Sequence, residues 1–290
     1  MTVLVGLVPD DRYLAPLRLG VSMALSSGLP LELCTIVSGA TPGLNSVDVE
    51  YLQLVEQSAA TALEEVTARI ADEVTVGTVV RRARSVSSGL IEVAEQQHAH
   101  YLVVGSSPSG ALGRIALGSV SDRLLHTSPV PVAVAPRGYD SDSRTRINRL
   151  TVAFGGHTSS DLVVAAANRA AELGADLRIA SFHVHPVALF GSMIATGPQS
   201  LIVDRWAAQR REEMSASLAT AQEALNATVD VVIGQGNSWG EAVSDIPWRV
   251  GDVLVVGSGH GGPSRVFVGS HASKIIRQAP VPVICVPGSE

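Results

Sequence analysis

Lysine is almost absent from this chain of 290 residues: Lys274 is the single lysine, and the other 20 basic residues are arginines. A phosphate-binding P-loop lysine or a Schiff-base lysine would have to be this residue. Its surroundings, HASKIIRQ, do not match the GxxxxGK[ST] spacing of a P-loop. The sequence therefore disfavours both chemistries, and we expect Lys274 to be a solvated helix residue.

Cysteine occurs only twice, and both cysteines stand in apolar runs. Cys34 lies in LELCTIV and Cys285 in VPVICVP. A thiol in such a run usually packs as a small hydrophobic side chain instead of reacting. This use of cysteine favours a reducing, cytoplasmic location.

Long apolar runs are missing too. No segment reaches the roughly 18 apolar residues that a membrane helix needs, so we expect no membrane insertion. The first residues, MTVLVGLVPDD, carry no basic segment, and their apolar run stops after Val8. That is not the pattern of a secretory signal.

An excess of positive charge is absent as well. The formal net charge is -6, which disfavours nucleic-acid binding because neutralising phosphates requires a basic surface. With 46% hydrophobic and 17% charged residues, the composition suits a globular protein of one large or two ordinary domains.

What the chain does contain is an internal repeat. YLVVGS at 101–106 returns as VLVVGS at 253–258. LGSVSDRLLHTSPVPVAVAP at 117–136 returns as VGSHASKIIRQAPVPVICVP at 268–287. Nearly constant offsets of 152 and 151 residues indicate two copies of one domain.

The two copies are expected to meet in a polar segment. RGYDSDSRTRIN at 137–148 is polar and has no apolar periodicity, as expected of an exposed linker. We therefore predict a first domain at 1–137, a linker at 138–148 and a second domain at 149–290.

Within each copy, short apolar runs alternate with longer helical patterns, which is typical of parallel βαβ units. The predicted fold class is α/β: two tandem copies of a five-stranded parallel open sheet with helices on both faces. The strands are predicted at 3–8, 31–37, 74–80, 101–105 and 130–135, and at 150–154, 177–184, 229–234, 252–256 and 281–286. The first-copy helices are predicted at 11–27, 46–71, 88–98 and 118–127, and Gly28 and Gly174 are expected to cap the first helix of each copy.

A glycine-rich loop follows the fourth strand of each copy and leads into the last helix. It reads VVGSSPSGALGRIALGS at 103–119 and VVGSGHGGPSRVFVGS at 255–270. Glycine lets backbone amides approach a ligand, and a helix N-terminus adds free N–H groups and the positive end of a dipole. Such a loop favours phosphate, although a glycine-rich turn also serves as a simple connection.

These features together resemble the universal stress protein family, here as a tandem pair: five strands and four helices, a VVGS fourth strand, a glycine loop ending in GS, and a last strand reading PVPV. The resemblance covers nearly the whole chain. It implies an adenine nucleotide alpha hydrolase-like fold. It also implies that the last strands of the two copies pair edge to edge, making an intrachain pseudo-dimer; whether the chain dimerises further stays open.

In the nucleotide-binding members of that family, the loop reads G-x2-G-x9-G-[ST] and holds the ribose and phosphates of ATP, while an apolar residue at the end of the second strand packs on adenine. The resemblance therefore implies ATP as a candidate ligand. The residues themselves show no evident metal site. The candidate binding residues are Ile36, Gly105, Gly110, Arg114, Gly118 and Ser119 in the first copy, and Val184, Gly257, Gly259, Gly261, Arg265, Gly269 and Ser270 in the second.

Both copies depart from the family pattern. Pro108 takes the middle glycine position of the first loop. The second loop keeps the x9 interval between Gly259 and Gly269, but the interval between Gly257 and Gly259 is one residue shorter than in the family pattern. Proline fixes φ and removes an N–H donor, so the second loop is the better candidate for a phosphate site. The family's aspartate after the first strand is replaced by Val8 and by Gly155.

Two competing motifs point to other chemistry. GNSWG at 236–240 satisfies G-x-S-x-G and would make Ser238 a nucleophile, with Asp245 or Asp252 and His260 or His271 completing a triad. The simpler interpretation is that Ser238 caps a helix. His183 and His185 form an H-x-H pair that would suit a metal, but no cluster of acids or cysteines accompanies them.

The favoured interpretation is a regulatory stress-response module that binds an adenine nucleotide in one or both clefts. No general base or metal-binding carboxylate pair is evident, so at most slow ATP hydrolysis is expected. The alternative is an interaction scaffold of the same fold without nucleotide, acting on an unknown protein partner. The arginine-rich stretch VVRRARS at 79–85 fits either an anionic ligand or an acidic partner surface.

Overall fold

The fold is taken from a computed structural model. It describes residues 1–8, 14–39, 46–140, 145–155, 160–184, 229–258 and 269–287, together with residues 205, 208, 209 and 212.

The first copy builds one half of an open sheet. Its strands are β1 (Thr2–Gly6), β2 (Leu31–Ser38), β3 (Val76–Ala83), β4 (Ala99–Gly105) and β5 (Val132–Ala135). Its helices are α1 (Ala15–Ser27), α2 (Ser46–Ala68), α3 (Val86–Gln96) and α4 (Ser119–Thr127). The strands are parallel and lie in the order β3-β2-β1-β4-β5, so the direction of winding reverses between β1 and β4.

The second copy repeats this arrangement. Its strands are β6 (Arg149–Ala153), β7 (Asp176–Val184), β8 (Val229–Gly236), β9 (Asp252–Gly257) and β10 (Val283–Val286). Its described helices are α5 (Ser160–Leu173), α6 (Trp239–Ser244) and α7 (Ser270–Gln278). The strand order β10-β9-β6-β7-β8 mirrors that of the first copy.

The two halves join through their last strands. β5 and β10 pair antiparallel, with Val134 opposite Val283 and Val132 opposite Cys285. The result is one sheet of ten strands across the described residues. The predicted edge-to-edge pairing within one chain is therefore confirmed, and it covers two strand edges that would otherwise expose unpaired backbone groups.

Helices cover both faces of this sheet. One core cluster holds residues of α1, α2 and α5, and the other holds residues of α3, α4, α6 and α7. Each cluster contains residues from both copies, because α1 packs beside α5 on one face and because both clusters continue across the β5–β10 seam. The apolar core thus runs without interruption through the whole sheet.

Most predicted elements lie within a few residues of the observed ones. Gly28 and Gly174 adopt left-handed φ values of 70° and 62° after α1 and α5, as predicted for C-caps. The described helix α1 begins at Ala15, four residues later than predicted, and Pro16 occupies its first turn. Proline is suited to that position because its fixed φ matches the helix and its missing N–H is not needed there.

Candidate functional site

A cavity of about 950 Å³ opens at the carboxyl ends of β1 and β4, where the winding of the first copy reverses. Open parallel sheets bind their ligands at this place. The volume lies within the range of small-molecule sites. Its walls come from the ends of β1 and β2, the first turn of α1, the start of α3, the glycine loop with the start of α4, and the segment that follows β5.

One end of the cavity is built to receive an anion. Helix α4 begins there, with Gly118 as an N-cap that has no side chain to occupy the first amides. The loop before it is held in shape by Ser106, whose hydroxyl accepts from the Ala116 amide at 2.8 Å. The N–H groups of the first helical turn and their dipole therefore face a preformed space.

Two glycines of this loop differ in how closely their surroundings approach them. A Cβ added to Gly105 would lie 3.3 Å from Cδ of Pro16, so Gly105 allows α1 to pack closely on β4. A Cβ on Gly118 would meet nothing closer than 3.4 Å, at Cβ of Ser107. Packing alone does not demand glycine at position 118, and a larger side chain there would reach into the loop.

The segment after β5 forms another wall. Gly113 donates its amide to the carbonyl of Arg137 at 2.9 Å, and Arg137 returns a bond to the carbonyl of Arg114 at 3.0 Å. The Arg137 guanidinium also donates to the carbonyl of Gly110. Arg137, Gly138, Tyr139 and Asp140 all line the cavity, so the first residues of the predicted linker belong to the site.

The charge of the lining is positive on balance. Among its described residues the charged side chains are Arg18, Arg137 and Asp140. Asp140 lies 3.5 Å from Nε of Arg18, in a pair that is largely exposed to solvent. One arginine charge is left over, which favours an anionic ligand near the start of α4.

The opposite end of the cavity is apolar. Ile36, Val86 and Leu90 line it, and Thr35 is occupied because its hydroxyl donates to the Leu7 carbonyl at 3.0 Å. Cys34 also belongs to this wall, but burial raises the pKa of its thiol to about 12. The thiol is neutral at physiological pH, so this end suits a flat apolar group and not nucleophilic chemistry.

Comparison with known proteins matches this chain to the family model described as the universal stress protein family, over residues 1–136 and again over residues 146–287. A universal stress protein of Mycobacterium tuberculosis is 36% identical over 295 residues, which span 99% of this chain and all of that protein. The chain belongs to the universal stress protein family.

Two further universal stress proteins support the tandem arrangement. One from Mycolicibacterium smegmatis is 30% identical over 308 residues, covering 98% of this chain and 96% of its own length. The crystal structure of one from Archaeoglobus fulgidus superposes with a TM-score of 0.63 at 16% identity, covering 99% of this chain and 98% of that one. The likeness of fold therefore extends over both copies.

The structure brings together four of the six first-copy residues of the universal stress protein pattern: Ile36, Gly105, Gly118 and Ser119 all line the cavity. Gly110 and Arg114 are not in its lining. A Cβ on Gly110 would lie 2.5 Å from that of Ala116, so this glycine serves the packing of the loop. Arg114 points to the second copy, where its guanidinium donates to the carbonyl of Gln278.

Fewer of the second-copy residues lie in the described part of the chain. Gly259, Gly261, Arg265, His260 and His185 fall outside it. Gly269 and Ser270 open α7, as their counterparts open α4. Gly257 ends β9, and a Cβ there would lie 3.1 Å from Cδ2 of Leu162.

The strand register changes one equivalence between the copies. Val3 pairs with Leu31 in the first copy, and Leu150 pairs with Leu177 in the second. Counting along β2 and β7 from these pairs places Phe182 at the position of Ile36. Val184 lies two residues further along β7, beyond the position that the family pattern assigns to the apolar residue.

The residues of the G-x-S-x-G motif and its candidate aspartates have structural roles. Ser238 caps α6, accepting the amide of Glu241 at 3.2 Å. Asp245 accepts the Gln235 amide, and Asp252 is buried between Arg149 and Arg178, so neither aspartate orients a histidine. Within the described ranges, no group of three or more metal-ligating side chains comes together.

Several cavity residues carried no sequence signal. Arg18, Val86, Arg137 and Tyr139 line the site but match no motif, and Arg137 lies at a predicted domain boundary. Val86 becomes notable only when the two copies are aligned, because its counterpart in the second copy is Trp239. Among the described helices, none is long and apolar enough to cross a membrane.

Proposed function

We propose that this chain is a cytoplasmic regulatory protein that binds an adenine nucleotide in the cavity of its first copy. The observation that carries the proposal is the two-ended character of that cavity. A helix N-terminus with an arginine excess stands at one end, and an apolar slot at Ile36 stands at the other. A nucleotide has the same division between its phosphate and its base.

The orientation of the ligand follows from this division. The phosphate lies at the start of α4, where the backbone amides of Ser119 and Val120 and the Ser119 hydroxyl donate hydrogen bonds. The Gly118 amide is taken by the Ser121 hydroxyl. The base lies against Ile36 and Val86, beside the end of β1. Val8, which is 70% exposed, occupies the place of the aspartate found in nucleotide-binding members of the family. We infer that this chain recognises the base with less side-chain polarity than those members.

Binding, and not rapid turnover, is the role that we assign. The single carboxylate among the described lining residues is Asp140, which is engaged with Arg18. Hydrolysis of ATP requires a group that positions water and a cation that neutralises the leaving phosphate. ATP hydrolysis is expected to be slow at most.

Calorimetric titration of the full chain with AMP, ADP, ATP and cyclic AMP tests the proposal. Gly118→Val places a branched side chain beside Ser107 and is expected to weaken binding at least tenfold. Ala111→Val adds a similar volume to an exposed position of the same loop, outside the cavity, and should bind as the parent does. Absence of heat with all four nucleotides would reject the proposal.

One observation favours the scaffold as a second candidate function. Tyr51 and Leu54 stand one turn apart on α2, and each is 65% exposed. Neighbouring apolar side chains on an outer helix are typical of a surface that meets another protein. Under this alternative the chain binds no nucleotide, and Tyr51→Ser with Leu54→Ser would abolish capture of a protein partner.

A further inference from the structure

The two copies differ where the base end of the cavity is formed. Ser85 caps α3 and Ser238 caps α6, each through its own hydroxyl, and both helices follow the third strand of their copy. The next residue is Val86 in the first copy and Trp239 in the second. These two residues are therefore structural counterparts, and Val86 lines the cavity.

The opposite wall shows a matching difference. Val120 is the second residue of α4 and lines the cavity, and its counterpart as second residue of α7 is His271. The rings of Trp239 and His271 lie 5.2 Å apart between centroids, with their planes tilted by 33°. The space between these two walls is thus bridged by a pair of rings in the second copy.

A third exchange places another aromatic ring in the same region of the second copy. The strand register places Phe182 at the position of Ile36, and Phe182 and Trp239 both pack against the core cluster on that face of the sheet. The ammonium group of Lys274 lies 5.9 Å from the Trp239 ring. Three branched aliphatic side chains of the first copy are therefore matched by three rings in the second.

From this geometry we infer that Trp239 and His271 occupy the base end of the second-copy cleft, so that the chain holds one adenine nucleotide, in its first copy. Aromatic rings in contact at this separation gain dispersion and electrostatic energy from each other and leave little area for a base. The inference rests on the proposed function. It also reverses the order expected from loop spacing, in which the second copy was the better candidate.

A reciprocal exchange in the full chain tests this assignment by calorimetric stoichiometry with AMP. The parent should bind one AMP per chain. Val86→Trp should weaken binding at least tenfold, whereas the matched variant Trp239→Val should leave the affinity of the first-copy site unchanged. Circular dichroism of both variants checks that they fold.

Hydrogen–deuterium exchange of the unmodified chain gives a second readout that needs no variant. AMP should protect peptides covering residues 105–121 and leave residues 269–278 unchanged. Two AMP per chain, or protection confined to the second copy, would overturn the inference while leaving nucleotide binding intact. No binding of any adenine nucleotide by the parent would overturn the proposed function and this inference together.

Discussion

Ala133 and Ile284 are register partners in the antiparallel pair of β5 and β10, and both side chains are completely buried. Their pairing places the seam between the two copies inside a continuous apolar core. The copies are related by repetition in sequence, but neither has a hydrophobic core that ends at its own boundary.

The first prediction concerns cooperativity. Because each core cluster contains residues of both copies, thermal unfolding should be a single transition, with equal calorimetric and van't Hoff enthalpies. Differential scanning calorimetry measures both quantities. Two resolved heat absorption peaks would show that the copies unfold independently and would contradict the shared core.

The second prediction concerns a buried ionic cluster at the amino ends of β6, β7 and β9. Arg178 is 1% exposed; it donates to Oγ1 of Thr151 at 3.0 Å and lies 3.4 Å from Oδ2 of Asp252. Arg149 donates to the same carboxylate at 2.7 Å. Burial lowers the pKa of the Arg178 guanidinium, and the neighbouring Asp252 carboxylate opposes this shift.

Removing the carboxylate should therefore leave a buried positive charge without compensation. We expect Asp252→Ala to lower the free energy of unfolding by about 3 kcal/mol or more, as measured for broken buried ion pairs. Urea denaturation provides the measurement. Asp72→Ala, at an exposed turn, is the control, and a comparable loss in both variants would contradict a special role of Asp252.

The third prediction concerns the thiols. Burial raises the pKa of Cys34 and of Cys285 to about 12 each. The folded chain should therefore react slowly with Ellman's reagent at pH 8. The chain unfolded in guanidinium should react rapidly at both of its thiols. Rapid reaction of either thiol in the folded chain would contradict its burial.

The same pKa values fix a pH dependence of stability. The ordinary pKa of these thiols is 9.0, so the unfolded chain loses protons before the folded one does. Their contribution to stability is complete below pH 9 and is lost as the pH rises toward 12. Replacing Cys285 by alanine should make the alkaline loss of stability shallower.

Much of this fold follows from the sequence because its signals are local or repeated. Apolar runs flanked by helical patterns predict parallel strands. The meeting of the two last strands at the seam is implied by the resemblance to the universal stress protein family. Gly28 and Gly174 identify two helix ends because a left-handed residue is needed there. The inferences about strands and helix ends depend on neighbouring residues only.

The remaining features depend on contacts between distant parts of the chain. Arg114 lies in the glycine loop, yet its partner is Gln278 of the other copy, which no motif in the loop indicates. The place of Phe182 opposite Ile36 is set by pairing along β6 and β7, where a shift of two residues is invisible to a pattern of alternating apolar residues.

The last prediction tests the wall formed by the segment after β5. Arg137→Ala removes the donor to the Gly110 carbonyl and one of the two positive charges in the described lining. Because the loop loses this support and the lining loses one positive charge, AMP affinity should fall roughly tenfold, which corresponds to about 1.4 kcal/mol. Arg123→Ala removes an equal charge from the exposed side of α4 and should change affinity little. Equal losses of AMP affinity in the two variants would mean that only the net charge of the protein matters. A loss confined to Arg137→Ala would show that the segment after β5, between the two copies, takes part in ligand binding.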